Sequence, residues 1–198
     1  MWTHLNTRLQ GIGEHTTRIM LKSLSLPDVD IRPVFIPRAY IPMVDRYLTI
    51  SIGVGIPGHL KQWPLEDWQR LIKSLMIPAV QIGGKQDPLV PGVIDMRGQS
   101  LPITAGLLEN SHGLICVEGG MAHLAAATLT KSIVMFGPTP LNAYAYPDNI
   151  NLGGGLCQPC FWGPGWVNDF CVEVYKYCIN LPSIDEVLQE ADKLCKSA

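Results

Sequence analysis

From residue 47 onward the chain alternates short apolar runs with amphipathic stretches. Residues 47–54, Tyr-Leu-Thr-Ile-Ser-Ile-Gly-Val, form an apolar run with β-branched residues and Gly53 near its end. That composition predicts a strand. Residues 64–76 predict a helix. Pro64 suits its first turn, Glu66 and Asp67 follow where the helix dipole favours acids, and Leu65, Trp68, Leu71, Ile72 and Leu75 make one stripe. Further strands are predicted at 78–82 (closed by Gly83-Gly84), 93–96, 114–117, 132–136 and 149–152, and further helices at 103–111 and 121–129. Ser183 caps a last helix, with Asp185 and Glu186 in its first turn, running to residue 194. Strands alternating with helices across short loops predict an α/β fold built on a parallel sheet. Unbroken apolar strands fit a sheet covered on both faces. Such sheets bind ligands at the carboxyl ends of their strands, so chemistry is sought there.

Residues 1–46 differ in character. They carry six Lys/Arg (Arg8, Arg18, Lys22, Arg32, Arg38, Arg46) and four acids (Glu14, Asp28, Asp30, Asp45). One helix is predicted at 14–24, and a proline-spaced extended stretch at 32–42. The apolar positions, Ile19, Leu21, Leu24, Val34 and Phe35, are too sparse for a separate core. The segment reads as an arm that packs on something else, with residues 47–198 as the domain proper. Covering an exposed sheet and joining a second copy are both open to it, and a homodimer is the expected assembly.

Composition narrows the function classes. Of 198 residues, 47% are apolar and 16% charged, so the chain can bury a core and is not a solvated disordered segment. A formal net charge of −2 argues against bulk electrostatic binding of nucleic acid. No apolar run reaches the roughly 18 residues of a membrane span, and residues 1–10 lack the apolar stretch of a signal peptide. The expectation is a cytoplasmic protein without a transmembrane segment.

Three glycine-containing loops follow predicted strands. Residues 53–64 join a strand to a helix and carry His59 and Lys61. Glycines let backbone N–H groups approach an anion, and Lys61 adds a full positive charge. The spacing is not that of a P-loop, and a flexible loop with a solvated lysine is the plain alternative. Residues 116–127 read Cys-Val-Glu-Gly-Gly-Met-Ala-His-Leu-Ala-Ala-Ala. Glu118 falls at the end of a buried strand, Gly119 and Gly120 make the turn, and His123 lies on the first helical turn. Free amides there suit a phosphate, and Glu118 suits sugar hydroxyls. A histidine bonded to backbone in the core is the alternative for His123. Residues 136–140, Phe-Gly-Pro-Thr-Pro, place Gly137 and the Thr139 hydroxyl at the same edge. Their convergence at one sheet edge favours a shared ligand crevice.

Cys157, Cys160, Cys171 and Cys178 cluster in a loop of little periodicity, residues 157–178. CxxC is a common metal chelate, and two more thiolates complete a tetrahedral site, here a structural Zn or Fe. Disulfides and unligated thiols remain the alternatives. Cys116 reads as a core residue and Cys195 as a spare thiol. Trp162 and Trp166 suit stacking on a sugar or covering the cysteine loop.

Taken in order, Lys61-Gln62-Trp63-Pro64, Gly83-Gly84, residues 118–126, Phe136-Gly137-Pro138-Thr139 and Cys157-Gln158-Pro159-Cys160 resemble glycosyltransferase family 9, the ADP-heptose:lipopolysaccharide heptosyltransferases and their relatives. The resemblance covers about residues 47–195 and extends weakly into 15–37. It implies a Rossmann-like sheet equivalent to the C-terminal, donor-binding half of a GT-B glycosyltransferase. It also implies that residues 1–46 are an N-terminal arm or a remnant of the acceptor domain. By position, Lys61 would contact the donor's phosphates, Glu118 the donor sugar (where the family usually has Asp), and Gly120 and His123 the diphosphate region. Gly119 replaces a common Ser or Thr, losing one hydroxyl contact. Asp87 stands where the family often has an acid on the nucleoside ribose. Some members bind a metal with the cysteine cluster.

The resemblance implies a glycosyltransferase-like domain holding a nucleotide-diphosphate sugar, with lipopolysaccharide biosynthesis as context. No catalytic cofactor is expected. The alternative is a non-catalytic sugar-nucleotide module, or a subunit of a split transferase with the acceptor domain on a separate subunit. His59 and Glu118 are the candidate bases, and neither is assigned.

Overall fold

A computed structural model describes residues 15–27, 29, 33–36, 45–55, 61–153 and 182–196. The elements are α1 (Thr16–Ser23), β1 (Leu48–Ser51), α2 (Leu65–Ser74), β2 (Ala79–Gln81), β3 (Ile94–Asp95), α3 (Leu101–Glu109), β4 (Leu114–Val117), α4 (Gly120–Ala127), β5 (Ser132–Met135), α5 (Leu141–Tyr144), β6 (Ile150–Leu152) and α6 (Ile184–Lys196). The strands form one six-stranded sheet in the order β3-β2-β1-β4-β5-β6. Every pair is parallel; Ile50 of β1, for example, lies opposite Gln81 of β2 and Ile115 of β4. The fold is the expected α/β architecture.

The apolar strands serve two cores, because successive side chains leave opposite faces. On β4, Ile115 and Val117 join Leu48, Ile50, Trp68 and Leu71 on one face, where α2 packs against α6. Leu114 and Cys116 join Val80, Leu107, Ala122 and Phe136 on the other, under α3 and α4. Cys116 is fully buried, as expected of a core residue, and burial pushes its thiol well above the ordinary range. The alanines of α4 let that helix approach the sheet, with Ala122 and Ala125 in the core.

Several boundaries differ from expectation. The helix expected at 103–111 starts at Leu101, because Pro102 fits the first turn, where no amide partner is needed. The strand expected at 47–54 pairs only as Leu48–Ser51, and the chain then leaves the sheet. The four-residue α5 carries too few positions to show periodicity and was not expected. The arm is partly described: Leu21 of α1 is buried, Thr16 Oγ1 donates to Ala143 O at 2.8 Å, and Phe35 N donates to Ala127 O at 2.9 Å. These described residues of the N-terminal segment bond to α4 and α5.

Candidate functional site

The strand order reverses beside β1. From β1 the chain builds β2 and β3 on one side, then β4, β5 and β6 on the other. Two crossovers that diverge leave a crevice at the carboxyl ends of the strands between them. A cavity of about 220 Å³ lies there, lined by Ser51, Gly53 and Gly55 after β1, Gly83 and Asp87 after β2, and Gly119 and Gly120 after β4. Gly119 is the N-cap of α4 and offers no side-chain cap. A Cβ at Gly119 or Gly120 would meet nothing within 4 Å. The first amides of α4 therefore open on unfilled space, with the partial positive charge of a helix start.

Glu118 stands one residue beyond β4. Its backbone N–H donates to Met135 O, which fixes it beside β5. Its carboxylate is almost fully buried, at 7% exposure, and one oxygen, Oε2, takes two donors: Lys61 Nζ at 2.5 Å and Thr139 Oγ1 at 2.7 Å. The first and third loops thus meet on the second. Thr139 is itself buried and Gly137 lies in the same buried stretch, so this loop supports the Glu118 carboxylate; neither residue lines the cavity, and Lys61, Glu118 and His123 lie beside it rather than in its lining.

Asp87 is held in a tight frame. Its Oδ2 accepts from Gly84 N at 2.7 Å. Arg97 donates to its backbone carbonyl and makes a bidentate pair with Asp95, through Nε at 2.8 Å and Nη2 at 2.9 Å. That pair holds the Asp95 carboxyl well below the usual carboxylate range. Gly83 sits at φ +123°, a conformation costly for any other residue. A Cβ at Gly53 would overlap the Asp87 carboxylate, so glycine at 53 is what lets Asp87 reach the crevice.

His123 lies on the first turn of α4, as expected, but its partner is a side chain rather than backbone. Its Nδ1 is 2.9 Å from the Tyr146 hydroxyl. Burial pushes its imidazole below the ordinary histidine value; Glu118 opposes that shift and Lys61 reinforces it. Tyr146, Ser51, Gln86 and Met121 line or support the region and were not expected. Nothing in a lone Tyr146 between proline and alanine marks it in the sequence.

A larger cavity, about 830 Å³, lies elsewhere, lined by His15 and Thr17 of the arm, Leu129 and Lys131 after α4, and Tyr146 and Asn151 around β6. It holds none of the expected site residues. Size does not decide between the two. The smaller crevice is where the helix amides and Asp87 converge, with the Lys61–Glu118 pair at the same strand ends.

His59 and the four cysteines Cys157, Cys160, Cys171 and Cys178, with Trp162 and Trp166, lie outside the described residues. Among the described residues no group of three or more His, Cys, Asp or Glu is placed to hold a metal ion. No helix among them is long and apolar enough to cross a membrane.

No family model matches the sequence, and no curated protein matches it. Solved structures do. The dodecameric iron-containing heptosyltransferase TibC in complex with ADP-D-beta-D-heptose matches at a TM-score of 0.76 and 17% identity, over 96% of this chain and 55% of that one. A family 9 glycosyltransferase from Veillonella parvula matches at 0.69 and 17% identity, over 93% and 61%. The E. coli ADP-heptose heptosyltransferase II matches at 0.60 and 14% identity, over 100% and 53%. The fold is thus that of one portion of a GT-B-like glycosyltransferase, the class to which the sequence motifs pointed. Two of these structural neighbours are heptosyltransferases and one is a family 9 glycosyltransferase, and this chain spans about half the length of those it matches.

Proposed function

We propose that this chain is a donor-binding glycosyltransferase domain that holds a nucleotide-diphosphate sugar, of the ADP-heptose kind, in the crevice at the end of β1 and β4. The observation that carries the reading is the open, uncapped start of α4 beside the buried Lys61–Glu118 pair. Amides and a cation side by side suit a diphosphate, and the acid beside them suits sugar hydroxyls. The neighbour that holds ADP-D-beta-D-heptose supports this choice of ligand.

In the proposed reaction an acceptor hydroxyl attacks the anomeric carbon, loses its proton, and displaces the nucleoside diphosphate. Lys61 and the α4 amides, including Gly119 and Gly120, stabilise the charge that grows on the leaving diphosphate. Asp87 accepts from ribose hydroxyls. Glu118 orients the sugar and holds Lys61. Because Thr139 and Lys61 both occupy its Oε2, Glu118 is better suited to positioning than to proton abstraction, and no base is assigned. The transfer needs no catalytic cofactor in this reading.

A cytoplasmic site of action and a lipopolysaccharide acceptor belong to the same proposal. So does a protein partner, a second copy or a separate acceptor-domain subunit, for the arm: Leu24, Val34 and Ile36 are 68%, 80% and 78% exposed. Light scattering at high concentration tests the homodimer; a strictly monomeric mass counts against it.

Calorimetry of the purified chain with ADP- and UDP-sugars tests the donor site. Absence of binding at millimolar ligand overturns it. Donor hydrolysis by a chain that binds separates a transferase from a non-catalytic binding module.

A further inference from the structure

Tyr146 sits between two histidines from distant parts of the chain. On one side its ring meets His123 edge-on, with centroids 5.6 Å apart. On the other it lies against His15, 5.1 Å away and tilted by 53°. Its backbone carbonyl accepts from Asn149 N at 3.1 Å and Asn151 Nδ2 at 2.9 Å. His15 is fixed in turn, as the N-cap of α1, with Nδ1 at 2.8 Å from Thr17 Oγ1. Tyr146 is therefore clamped from the loop before β6 and from the arm, with its hydroxyl on His123 Nδ1.

A hydroxyl 2.9 Å from a ring nitrogen either donates or accepts, and chemistry chooses between them. A phenol is a better donor than an imidazole N–H, and an imidazole nitrogen is a better acceptor than a phenol oxygen. Burial disfavours an imidazolium at His123, Glu118 opposes this and Lys61 reinforces it, and a helix start beside the ring acts in the same sense as Lys61. A neutral ring receiving the phenol proton at Nδ1 keeps its own proton on Nε2.

We propose that Tyr146 is a positioning residue that locks His123 in the tautomer carrying its proton on Nε2, with His15 of the arm holding the Tyr146 ring in place. Resting on the donor-site reading, and with His123 near the start of α4 and within electrostatic reach of Lys61 and Glu118, the lock has a purpose: it leaves His123 a neutral hydrogen-bond donor, through Nε2, for a diphosphate oxygen bound beside that helix start. The other tautomer would present a lone pair to the anion and repel it. Through His15, docking of the arm then adjusts donor affinity without touching the donor.

Nitrogen-15 NMR of the histidine rings in the full chain, with and without ADP, is the test. Wild-type His123 should show a protonated Nε2 and a bare Nδ1 in the absence of ligand. Tyr146→Phe keeps the ring packing and removes the hydroxyl. It should turn His123 into a tautomer mixture and weaken ADP binding by about 3- to 10-fold, with a thermal midpoint near that of wild type. His15→Ala should shift His123 in the same direction and by less. A wild-type His123 protonated on Nδ1 overturns the proposal, as does an unchanged tautomer in Tyr146→Phe. A changed tautomer with unchanged ADP affinity also overturns the positioning role. If wild type binds no ADP at millimolar concentration, the donor-site reading fails and the positioning role fails with it, while the ring signals still establish whether the hydroxyl sets the tautomer.

Discussion

Lys61 Nζ and Glu118 Oε2 lie 2.5 Å apart with only 15% and 7% of their side chains exposed, so a cation and an acid from loops 57 residues apart share one near-dry site. An ion pair in that setting is hard to lose by halves. Removing one partner leaves the other's charge buried and uncompensated.

Lys61→Ala should therefore do two things. It should weaken nucleotide-sugar binding by about 1–3 kcal/mol, the scale of a lost charged hydrogen bond. It should also destabilise the fold, by about 3 kcal/mol, the lower end for a broken buried pair because Lys61 keeps some exposure. The double variant Lys61→Met with Glu118→Gln should recover most of the stability and none of the binding. Urea denaturation and calorimetry on the same samples check both. Equal recovery of binding in the double variant would remove Lys61 from the site.

Gly53→Ala tests the frame around Asp87. The added methyl overlaps the Asp87 carboxylate, which must leave its bond to Gly84 N. Asp87 is only partly buried and its carboxylate can turn toward water, so loss of that hydrogen bond should cost about 0.5–1.5 kcal/mol of stability, and ADP binding should fall with it. Gly55→Ala is the control for stability alone, since a Cβ there meets nothing within 4 Å, although Gly55 lines the same crevice. A stable Gly53→Ala with normal ADP affinity would show that Asp87 need not sit where it does.

His123 gives the chain a pH dependence with a definite sign. Burial lowers its proton affinity in the folded state, Lys61 adds to this and Glu118 partly offsets it. The unfolded chain then binds the proton more readily. The stability contribution is present above the ordinary histidine value and is lost as pH falls through that value toward the folded one. Unfolding free energy followed from about pH 8 to about pH 5 should decline more steeply for wild type than for His123→Gln. Parallel profiles would mean that His123 titrates alike in both states.

The sheet was legible because its buried strands fall in largely apolar runs with a glycine within two residues of their ends, as at 114–117 and 132–136. Lys61, Glu118 and Thr139 were legible as three loops at strand ends, and the structure does join them. It was not legible that Thr139 would serve the Glu118 carboxylate, since a hydroxyl after a strand looks the same whether it faces ligand or carboxylate. Tyr146 left no trace at all. Its role depends on His15 and His123 meeting it across the fold, and that is a tertiary fact.

The four cysteines carry the last prediction. Cys157, Cys160, Cys171 and Cys178 fall within a glycine- and proline-containing stretch with little apolar periodicity to fold it. Thiolates brought together repel, and a bound cation removes that penalty while ordering the loop. One structural Zn or Fe per chain is expected in protein purified without chelator; a solved neighbour is described as iron-containing. Elemental analysis decides it together with thiol titration. Among the other cysteines, Cys116 is buried and its thiol pushed up, so it should react only on unfolding, while the half-buried Cys195 should react slowly. Substoichiometric metal with four further thiols reactive in the native state would leave free cysteines. Absent metal with those thiols unreactive even in denaturant would mean disulfides, and the cytoplasmic assignment would fall with the metal.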